Sequence, residues 1–403
     1  MSVQVVDVFL NSFDKKLKVG RLAHKDRVIY FEYDKEFLSA KTELSPYKLP
    51  LKSGVHLCQD NLFEGLFGVF ADSLPDGWGR LLLDRYFLKQ GIKHSDITPL
   101  DRLCYIGEFG IGALSYAPIV SYDTKKLNDI DLDILANSSL EILKGSSSDI
   151  LETLLSIQGS SAGARPKAML QINENDEIIQ GTQKLKSGYE HYLVKFPSSN
   201  DMHDVGKLEY IYAKMAKDAK IDMPDIKLLH SKNNSYFAIK RFDREEDKKI
   251  HIHSVAGLVH SDFRVPSLDY DDLLSLTLHI TKDKSQQVQM YRLAVFNLMM
   301  HNRDDHAKNF SFILDKNHNW KLSPAYDLTF SYGPGGEHST TYLGEGKILT
   351  LKHLEKLGLK HDVKNFLHII EETKEVVSKF KDYAKDVEIN KTIYNDISKS
   401  LMI

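Results

Sequence analysis

Asp304 and Asn309, with four residues between them, lie in the polar stretch HNRDDHAKNF at residues 301–310. A carboxylate followed at this distance by an amide is the pattern of the protein-kinase catalytic loop, in which the carboxylate receives a hydroxyl proton and the amide holds Mg²⁺. The offset alone is weak, since Asp-x4-Asn recurs by chance. If the pattern is functional, it indicates phosphoryl transfer with Asp304 as the catalytic base.

The segment after this stretch predicts a β-hairpin that returns the chain to the same place. FSFIL alternates as a strand, DKNHN is a turn, and WKLSP forms the returning strand. The hairpin ends in Ala-Tyr-Asp, so we expect Asp327 to lie near Asn309. One amide oxygen and one carboxylate, together with nucleotide phosphates, suit Mg²⁺. In the alternative interpretation, the charged residues only cap a helix end: Arg303, Asp304 and Asp305, with His306 and Lys308 as solvated neighbours.

A second candidate is Lys195 in the strand-like segment YLVKF. The alternation places Tyr192, Val194 and Phe196 on one side and Leu193 and Lys195 on the other. A lysine in such a strand can reach the α- and β-phosphates of a nucleotide, and Glu209 in the next predicted helix is a candidate ion-pair partner. The alternatives are an edge lysine whose ammonium lies in water and a glutamate on a helix surface.

A third candidate is the loop GSSAGARPK at residues 159–167. Small residues leave its backbone N–H groups free to meet an anion, and Arg165 and Lys167 add positive charge. The loop matches neither the Walker A pattern nor Gly-x-Gly-x-x-Gly, and by itself it is also compatible with a flexible turn. Its predicted phosphate-binding residues are Ser161, Ala162, Gly163, Ala164, Arg165 and Lys167.

Two other patterns lack the residues that would support a function. GEFGIG at residues 107–112 looks like a phosphate loop, but no lysine-bearing strand follows it. HIHS at residues 251–254 has neither cysteine partners nor the His-x3-His spacing of a zinc helix. We therefore expect a turn in the first case and no zinc site in the second.

Composition restricts the class of protein. The 403 residues carry a net charge of −3, so the bulk charge does not argue for direct nucleic-acid binding. No apolar run approaches the ~18 residues that span a bilayer, and the first ten residues are typical of a strand, not of a signal peptide. Two cysteines, Cys58 and Cys104, cannot form a disulfide framework, which favours the reducing cytoplasm.

The elements that must position these residues predict an α+β, two-lobed chain. Strands are expected over residues 3–34. A helix is expected from Trp78 to Gln90 with Asp76 as its N-cap, and YIGEFGIGALSYAPI should form two short strands around a turn. A buried helix, MYRLAVFNLMM, precedes the catalytic stretch, and the chain is mostly helical beyond residue 270. The polar stretch 121–149 marks a boundary, which gives predicted domains 1–125, 126–245 and 246–403.

Five segments together, in this order, resemble the HipA family of serine/threonine kinases, the toxin halves of bacterial toxin–antitoxin pairs. These segments are SSAGARPK, YLVKFPS, RFDR, NRDDHAKNFSF and LSPAYDL, and FGVFADSLPDGWGRLLLDR resembles the family's N-terminal subdomain. The likeness covers nearly the whole chain, and Asp-x-His-x-Lys-Asn is its most specific part. It implies a protein-kinase-like fold with a β-containing N-terminal subdomain and a mostly helical C-terminal lobe.

The resemblance also implies site roles and ligands. ATP and Mg²⁺ are the expected ligands, with Asp304 as base, Asn309 and Asp327 on the metal, and Lys195 on ATP. The loop 161–167 would hold phosphates, His306 and Lys308 would lie in the nucleotide site, and the adenine hinge would be Lys240, Arg241 and Phe242. The substrate would be a serine or threonine of a cellular protein, by family precedent one involved in translation such as an aminoacyl-tRNA synthetase. The expected partner is a HipB-like helix-turn-helix antitoxin, with DNA reached only through it.

Members of the family are silenced by autophosphorylation of a serine that begins the phosphate loop. Ser160 occupies the matching position here, and Ser161 stands where an apolar residue is common, so either is a candidate. Arg165 replaces a frequent glutamine and Asp305 a frequent glycine. Alternatives to a protein kinase are a catalytically quiet antitoxin-binding co-repressor, a small-molecule or lipid kinase, and, least favoured, a metal-dependent hydrolase built on Asp304, His306 and Asp327.

Overall fold

The computed structural model describes residues 3–12, 15–58, 60–119, 130–145, 151–158, 163–181, 184–199, 201 and 204–402. Within these ranges the chain is a mixture of sheets and helices around three apolar cores, as an α+β fold requires. No helix among these residues is both long and apolar enough to cross a bilayer.

The first core lies against the seven-stranded sheet near the N-terminus. Strand residues Val6, Val8 and Leu10 alternate inward and are fully buried, as period-two patterning dictates. Two short helices cover the inner face. The elements of this part are β1 (Val5–Ser12), β2 (Lys15–Lys25), β3 (Val28–Tyr33), α1 (Lys35–Ser39), β4 (Val55–Leu57), α2 (Gly68–Ala71), α3 (Gly77–Lys89), a 3₁₀ turn (His94–Asp96), α4 (Pro99–Ile106) and β5 (Leu114–Ala117).

A second, five-stranded antiparallel sheet separates two cores. Across the sheet the strands lie in the order Ile178–Gln180, Lys167–Asn173, Tyr189–Lys195, Ser235–Lys240 and Ile226–His230. Tyr192, Val194 and Phe196 pack into the core on one face, and Leu193 packs against the core on the other, which confirms the predicted alternation. The elements are α5 (Leu132–Leu143), α6 (Leu151–Gln158), β6 (Lys167–Asn173), β7 (Ile178–Gln180), β8 (Tyr189–Lys195), α7 (Val205–Asp218), β9 (Ile226–His230) and β10 (Ser235–Lys240).

The rest of the chain is mainly helical and contains the predicted hairpin. Its central helix, Lys284–Met299, is buried on almost every side, and Phe296 and Met299 are fully buried. The elements are β11 (Arg244–Glu245), β12 (Lys248–Lys249), β13 (His251–Ser254), α8 (Val255–Val259), β14 (Leu268–Asp269), α9 (Tyr270–Thr281), α10 (Lys284–Met299), a 3₁₀ turn (Ala307–Asn309), β15 (Ser311–Leu314), β16 (Trp320–Leu322), a 3₁₀ turn (Pro334–Gly336), β17 (Thr340–Thr341), α11 (Leu351–Lys360), α12 (Phe366–Ser378), α13 (Phe380–Asp386) and α14 (Lys391–Ser398).

The parts are joined through shared sheets. β1 pairs with β2 and β5 in antiparallel fashion and meets β12 in parallel, so strands from beyond residue 243 complete the N-terminal sheet. β13 pairs with β15, which in turn pairs with β16, so the hairpin after the catalytic stretch is held in a three-stranded sheet. The catalytic stretch therefore has rigid structure on both sides.

Two predictions about local structure were wrong. Tyr105 and Ile106 were expected in a strand, but they form the last turn of α4. Thr98 caps the start of this helix with a capping box, and Pro99 is its first residue. Capping and the proline outweighed the apolar residues that suggested a strand. Asp76 does precede a helix as expected, yet its side chain makes no capping hydrogen bond there.

Candidate nucleotide-binding and catalytic site

Lys195 bonds to two acidic residues from different parts of the chain. Its Nζ donates to Glu209 Oε2 and to Asp327 Oδ1, each at 2.6 Å. Glu209 is 2% exposed, whereas the Asp327 side chain is 35% exposed at the cleft. The structure thus forms the predicted Lys195–Glu209 pair, adds Asp327 to it, and rules out a glutamate on the helix surface.

The sheet and helix α7 set this geometry. Lys195 is the last residue of β8 and lies on the face opposite Val194, so its side chain extends toward α7. Gly206 allows α7 to lie directly on β10, since a Cβ at Gly206 would stand 2.4 Å from the carbonyl oxygen of Ser235. Glu209 lies on the same helix, so the close approach of α7 to the sheet places the Glu209 carboxylate next to Lys195 Nζ.

Neighbouring opposite charges keep the side chains of Lys195 and Asp327 ionised. Burial by itself would lower the pKa of Lys195, but the carboxylates of Asp327 and Glu209 raise it above its ordinary value. Desolvation would conversely raise the pKa of Asp327, and Lys195, Lys167 and Arg165 hold it well below the usual range. Both groups are therefore charged near neutral pH. Asp327 adopts a left-handed backbone with φ of 56°, a conformation that non-glycine residues adopt mainly at special sites.

The described part of the phosphate loop contributes two more cations. Arg165 donates to Asp201 through Nε and to Glu209 through Nη1, both at 2.9 Å. Lys167 begins β6 and is 6% exposed. Burial lowers the pKa of Lys167 to about 8, because the attraction of Asp327 only partly offsets it. Ser160, Ser161 and Ala162 lie outside the described residues.

Asp304 is exposed at the cleft, and the chain around it is held by short-range bonds. Its backbone carbonyl accepts from Asn309 Nδ2 at 2.7 Å. Since a carbonyl can only accept, this bond turns Asn309 Oδ1 the other way, where it can serve as a ligand. Desolvation raises the pKa of the Asp304 carboxyl; His306 opposes that shift, and the nearby negative charge of Asp327 adds to it.

His306 and Lys308 have structural partners within the site. His306 Nδ1 accepts from the backbone N–H of Lys308 at 3.3 Å and so begins the 3₁₀ turn over Ala307–Asn309. Lys308 Nζ donates to Asp76 at 2.6 Å and lies 4.2 Å from the centre of the Phe263 ring. Asp76, from the start of α3, is a residue of this site that the sequence did not reveal.

Asp305, within the stretch 301–310, is fully buried. One of its oxygens accepts from Tyr270 OH at 3.0 Å and lies 2.9 Å from His338 Nδ1, and the other accepts from Thr340 N at 3.2 Å. Tyr270 OH also accepts from Asn297 Nδ2 at 2.8 Å, which ties the network to α10. The aspartate thus fastens the segment 338–340, downstream of Asp327, to the catalytic stretch.

The returning hairpin is closed by Tyr326. Its hydroxyl donates to the carbonyl of Lys308 at 2.6 Å and lies 2.5 Å from Ser311 Oγ. Because Tyr326 precedes Asp327 and Lys308 precedes Asn309, this bond joins the two chain segments at the point where the sequence predicted that they would meet. Phe242 contributes from a third segment, with its ring 5.6 Å from that of Tyr326.

The predicted adenine hinge is largely occupied by internal bonds. The backbone N–H of Lys240 donates to the carbonyl of Asp225, and that of Arg241 to the carbonyl of His191, both at 2.8 Å. The Lys240 side chain meets Glu190, and Arg241 forms a two-pronged pair with Asp243. These donors are used within the protein, so the backbone N–H groups of Lys240 and Arg241 are not available to an adenine base.

The two patterns set aside from the sequence have structural roles. The glycine-rich turn 107–112 binds the RFDR segment: Gly112 N donates to Asp243, and Arg244 donates to the carbonyls of Gly110 and Gly112. Within HIHS, His253 Nδ1 lies 2.6 Å from Asp72 Oδ2, and its Nε2 lies 3.0 Å from Ser45 Oγ. Both patterns join the N-terminal part to the remainder.

One other cluster among the described residues has the composition of a metal site. Cys58, Asp60 and His260 offer ligand atoms within 4.8 Å of one another. However, His260 Nε2 accepts from Gly68 N–H at 3.0 Å, so the proton of the neutral ring must be on Nδ1, which faces Asp60 at 2.6 Å. A metal on Nδ1 would leave a ring without a proton, and the arrangement is better explained as a hydrogen-bonded pair.

The residues of the cleft fit ATP and Mg²⁺ chemically. Asp327 is ionised and partly accessible, and Asn309 supplies a neutral oxygen, so both are hard ligands of the kind that Mg²⁺ prefers. Lys195, Lys167 and Arg165 supply the positive charge that polyphosphate needs.

These features define a two-lobed, kinase-like protein. Structural comparison agrees: a solved complex of HipA, HipB and operator DNA from Shewanella oneidensis contains a chain of the same fold, with a TM-score of 0.71 at 16% identity, covering 98% of this chain and 95% of that one. The chain belongs to the HipA family. Residues 6–117 match the HipA N-terminal domain, and residues 159–380 match the HipA-like C-terminal domain.

Two curated relatives carry provisional kinase names. A protein of Haemophilus influenzae is 27% identical over 188 residues, 42% of this chain and 52% of that protein. Y4dM of Sinorhizobium fredii is 26% identical over 209 residues, 47% of this chain and 50% of that protein. The matches span about half the length of these relatives.

Proposed function

We propose that this protein transfers the γ-phosphoryl group of ATP to a serine or threonine hydroxyl of a protein. The single observation that carries the proposal is the position of Lys195, which bonds at once to buried Glu209 and to cleft-facing Asp327. A lysine fixed between a helix glutamate and a metal-binding aspartate is the arrangement that phosphoryl transfer by protein kinases requires.

Each residue of the cleft then has a separate task. Asp304 receives the proton of the attacking hydroxyl, and its raised pKa makes it a stronger base than an ordinary aspartate. Lys195, Lys167 and Arg165 bind the phosphates, and Glu209 orients two of these cations. Asn309 and Asp327 would hold Mg²⁺, which when bound neutralises charge on the phosphates.

Adenine recognition would involve Phe242 more than its neighbours. The N–H groups of Lys240 and Arg241 already bond to protein carbonyls. The ring of Phe242 lies beside Tyr326 and can offer an apolar surface to the base. We therefore assign Lys240 and Arg241 to support of the hinge, with their side chains engaged by Glu190 and Asp243.

The remaining parts of the proposal concern regulation and partners. Ser160 or Ser161 would be autophosphorylated and would silence the enzyme, and Arg165, which shares Glu209 with Lys195, is a cation available to the product phosphate. A HipB-like helix-turn-helix protein would be the partner, with DNA contacted through it. The Shewanella oneidensis complex, which contains HipB and operator DNA, supports this expectation.

The test is transfer of label from [γ-³²P]ATP in the presence of Mg²⁺. Purified protein, first alone and then with a cell lysate, should label itself and at least one lysate protein, and phosphopeptide mass spectrometry should locate the self-label at Ser160 or Ser161. The Asp304→Asn variant should lose both signals. Equal labelling by wild type and Asp304→Asn would refute the assignment, and nucleotide binding without any transfer would favour the catalytically quiet partner-binding protein.

A further inference from the structure

Asp76 lies in the N-terminal part of the chain, yet its carboxylate bonds to two parts of the nucleotide site. One oxygen accepts from the backbone N–H of Gly163 in the phosphate loop, and the other accepts from Lys308 Nζ in the catalytic stretch at 2.6 Å. Asp76 and Lys308 are 232 positions apart along the chain. A single side chain therefore connects three segments that the sequence keeps separate.

The backbone beside Asp76 reinforces the contact with the loop. Trp78 N donates to the carbonyl of Gly163 at 3.1 Å, so Gly163 is held through both its N–H and its C=O. Gly77 has a φ of 42°, and a Cβ there would stand 2.7 Å from Ala164 Cα. The start of α3 thus lies directly against the described end of the phosphate loop, closer than a residue with a side chain would permit.

The charges at this contact are mutually stabilising. Burial alone would raise the pKa of Asp76, but the charge of Lys308 and the hydrogen bonds from Lys308 and Gly163 hold it below its usual value. The Asp76 side chain is 22% exposed and that of Lys308 is 12% exposed, so water screens the pair only partly. An ionised carboxylate accepting from a backbone N–H and an ammonium makes charge-assisted bonds, which are stronger than neutral ones.

We propose that Asp76 is a positioning residue of the nucleotide site. Through Asp76 and the start of α3, the N-terminal domain fixes the phosphate loop relative to the catalytic stretch and thereby sets the affinity for ATP. The inference rests on the proposed function, since it assigns ATP to the cleft. It gives the N-terminal domain a direct part in nucleotide binding. Any event that moved α3 would release Gly163 and Lys308 together.

General loosening of the interface between domains could mimic this effect, and the chain offers a matched control. Asp60 also belongs to the N-terminal part and pairs with His260 of the C-terminal part at 2.6 Å. Its carboxylate otherwise accepts from Leu62 N at 3.2 Å, so its side-chain contacts lie outside the phosphate loop and the catalytic stretch. Asp60→Asn removes the negative charge from one interdomain hydrogen bond without touching the nucleotide site.

The experiment compares wild type with Asp76→Ala, Asp76→Asn and Asp60→Asn by two measurements. Hydrogen–deuterium exchange without nucleotide follows the amides of residues 163–168, and isothermal titration calorimetry measures the Kd for a non-hydrolysable ATP analogue with Mg²⁺. In Asp76→Ala we expect faster exchange at Gly163 and a Kd about ten-fold weaker, the size expected for one charge-assisted hydrogen bond. Asp76→Asn keeps an acceptor for Gly163, so its exchange rate and Kd should lie between those of wild type and Asp76→Ala. Asp60→Asn should match wild type in both measurements.

The outcomes separate this inference from the proposed function. Unchanged loop exchange and unchanged Kd in both Asp76 variants would overturn it, as would equal changes in Asp60→Asn. If Asp76→Ala fails to fold, as judged by its thermal unfolding, Asp76→Asn decides alone. If wild-type protein transfers no phosphate, the proposed function fails, while faster exchange specific to the Asp76 variants still supports the positioning role.

Discussion

The ammonium of Lys195 lies 2.6 Å from the carboxylate of Asp327, a residue 132 positions later in the chain. The lysine proposed to bind phosphate and the aspartate proposed to bind metal thus neutralise each other's charge. This pairing keeps both groups charged in a poorly solvated cleft.

Asp304→Asn should lower the rate of phosphate transfer by on the order of 10²–10⁴, the usual contribution of a general base. Because Asp304 is exposed and its side chain is not part of the buried ion-pair network, ATP affinity and thermal stability should stay close to wild type. Labelled-ATP kinetics together with calorimetric ATP binding check this. A comparable loss of ATP affinity would assign Asp304 to binding instead of to proton transfer.

Glu209→Gln should weaken both function and stability. The buried carboxylate is shared by Lys195 and Arg165, and an amide would leave two cations with less negative charge between them. We expect a loss of about 2 kcal/mol in the free energy of unfolding, typical of hydrogen bonds to charged groups, and a lower kcat/KM for ATP. Urea denaturation and steady-state kinetics measure the two effects. Glu190→Gln, which removes the exposed partner of Lys240, serves as the control and should change stability by no more than about 0.5 kcal/mol.

Asp305→Ala should destabilise the segment that follows Asp327. The substitution leaves Tyr270 OH, His338 and the N–H of Thr340 without their buried acceptor, and each unsatisfied buried group costs about 1–3 kcal/mol. Limited proteolysis should cut near residues 333–341 faster than in wild type. Chemical denaturation should show a loss of several kcal/mol in total, and equal stability of variant and wild type would contradict the role assigned to this aspartate.

Stability should fall between pH 6.5 and pH 4, with a measurable part due to His251. Burial lowers the pKa of His251 to about 4, and the neighbouring His253 contributes to the shift. Well above pH 6.5 the residue is neutral in both the folded and the unfolded chain and contributes no pH dependence. As the pH falls toward 4, the unfolded chain takes up a proton that the folded protein does not, so the free energy of unfolding decreases, by about 2 kcal/mol at pH 5.

His251→Gln should remove that part of the pH dependence while keeping a donor for the carbonyl of Leu44, which lies 3.3 Å from His251 Nε2. Urea denaturation at pH 7 and at pH 5 would show a smaller difference in the variant. The exposed His230, replaced in the same way, should leave the wild-type difference intact. An unchanged difference in His251→Gln would show that other groups control acid stability.

Local patterns in the sequence were sufficient for much of the fold. The period-two alternation around Lys195 correctly predicted which side chains share each face of the strand, because every strand places alternate residues on opposite faces. The hairpin over residues 311–322 was likewise predicted from two short strands and a turn, and the HipA resemblance was confirmed by the family match. Capping at Thr98 was overlooked, so the last turn of α4 was taken for a strand.

The sequence by itself thus determined the family and the kinase-like fold, and it proposed most of the polar residues that the structure brings together. Only the tertiary structure decided which residues these side chains bond to. Glu209 pairs with two cations, and Asp305 is a buried hydrogen-bond acceptor. Asp76 bonds to Gly163 and Lys308 and does not cap its helix. Periodicity and capping depend on neighbours a few residues away. These pairings join residues that are 14 to 232 positions apart, and their geometry is set by how whole elements pack.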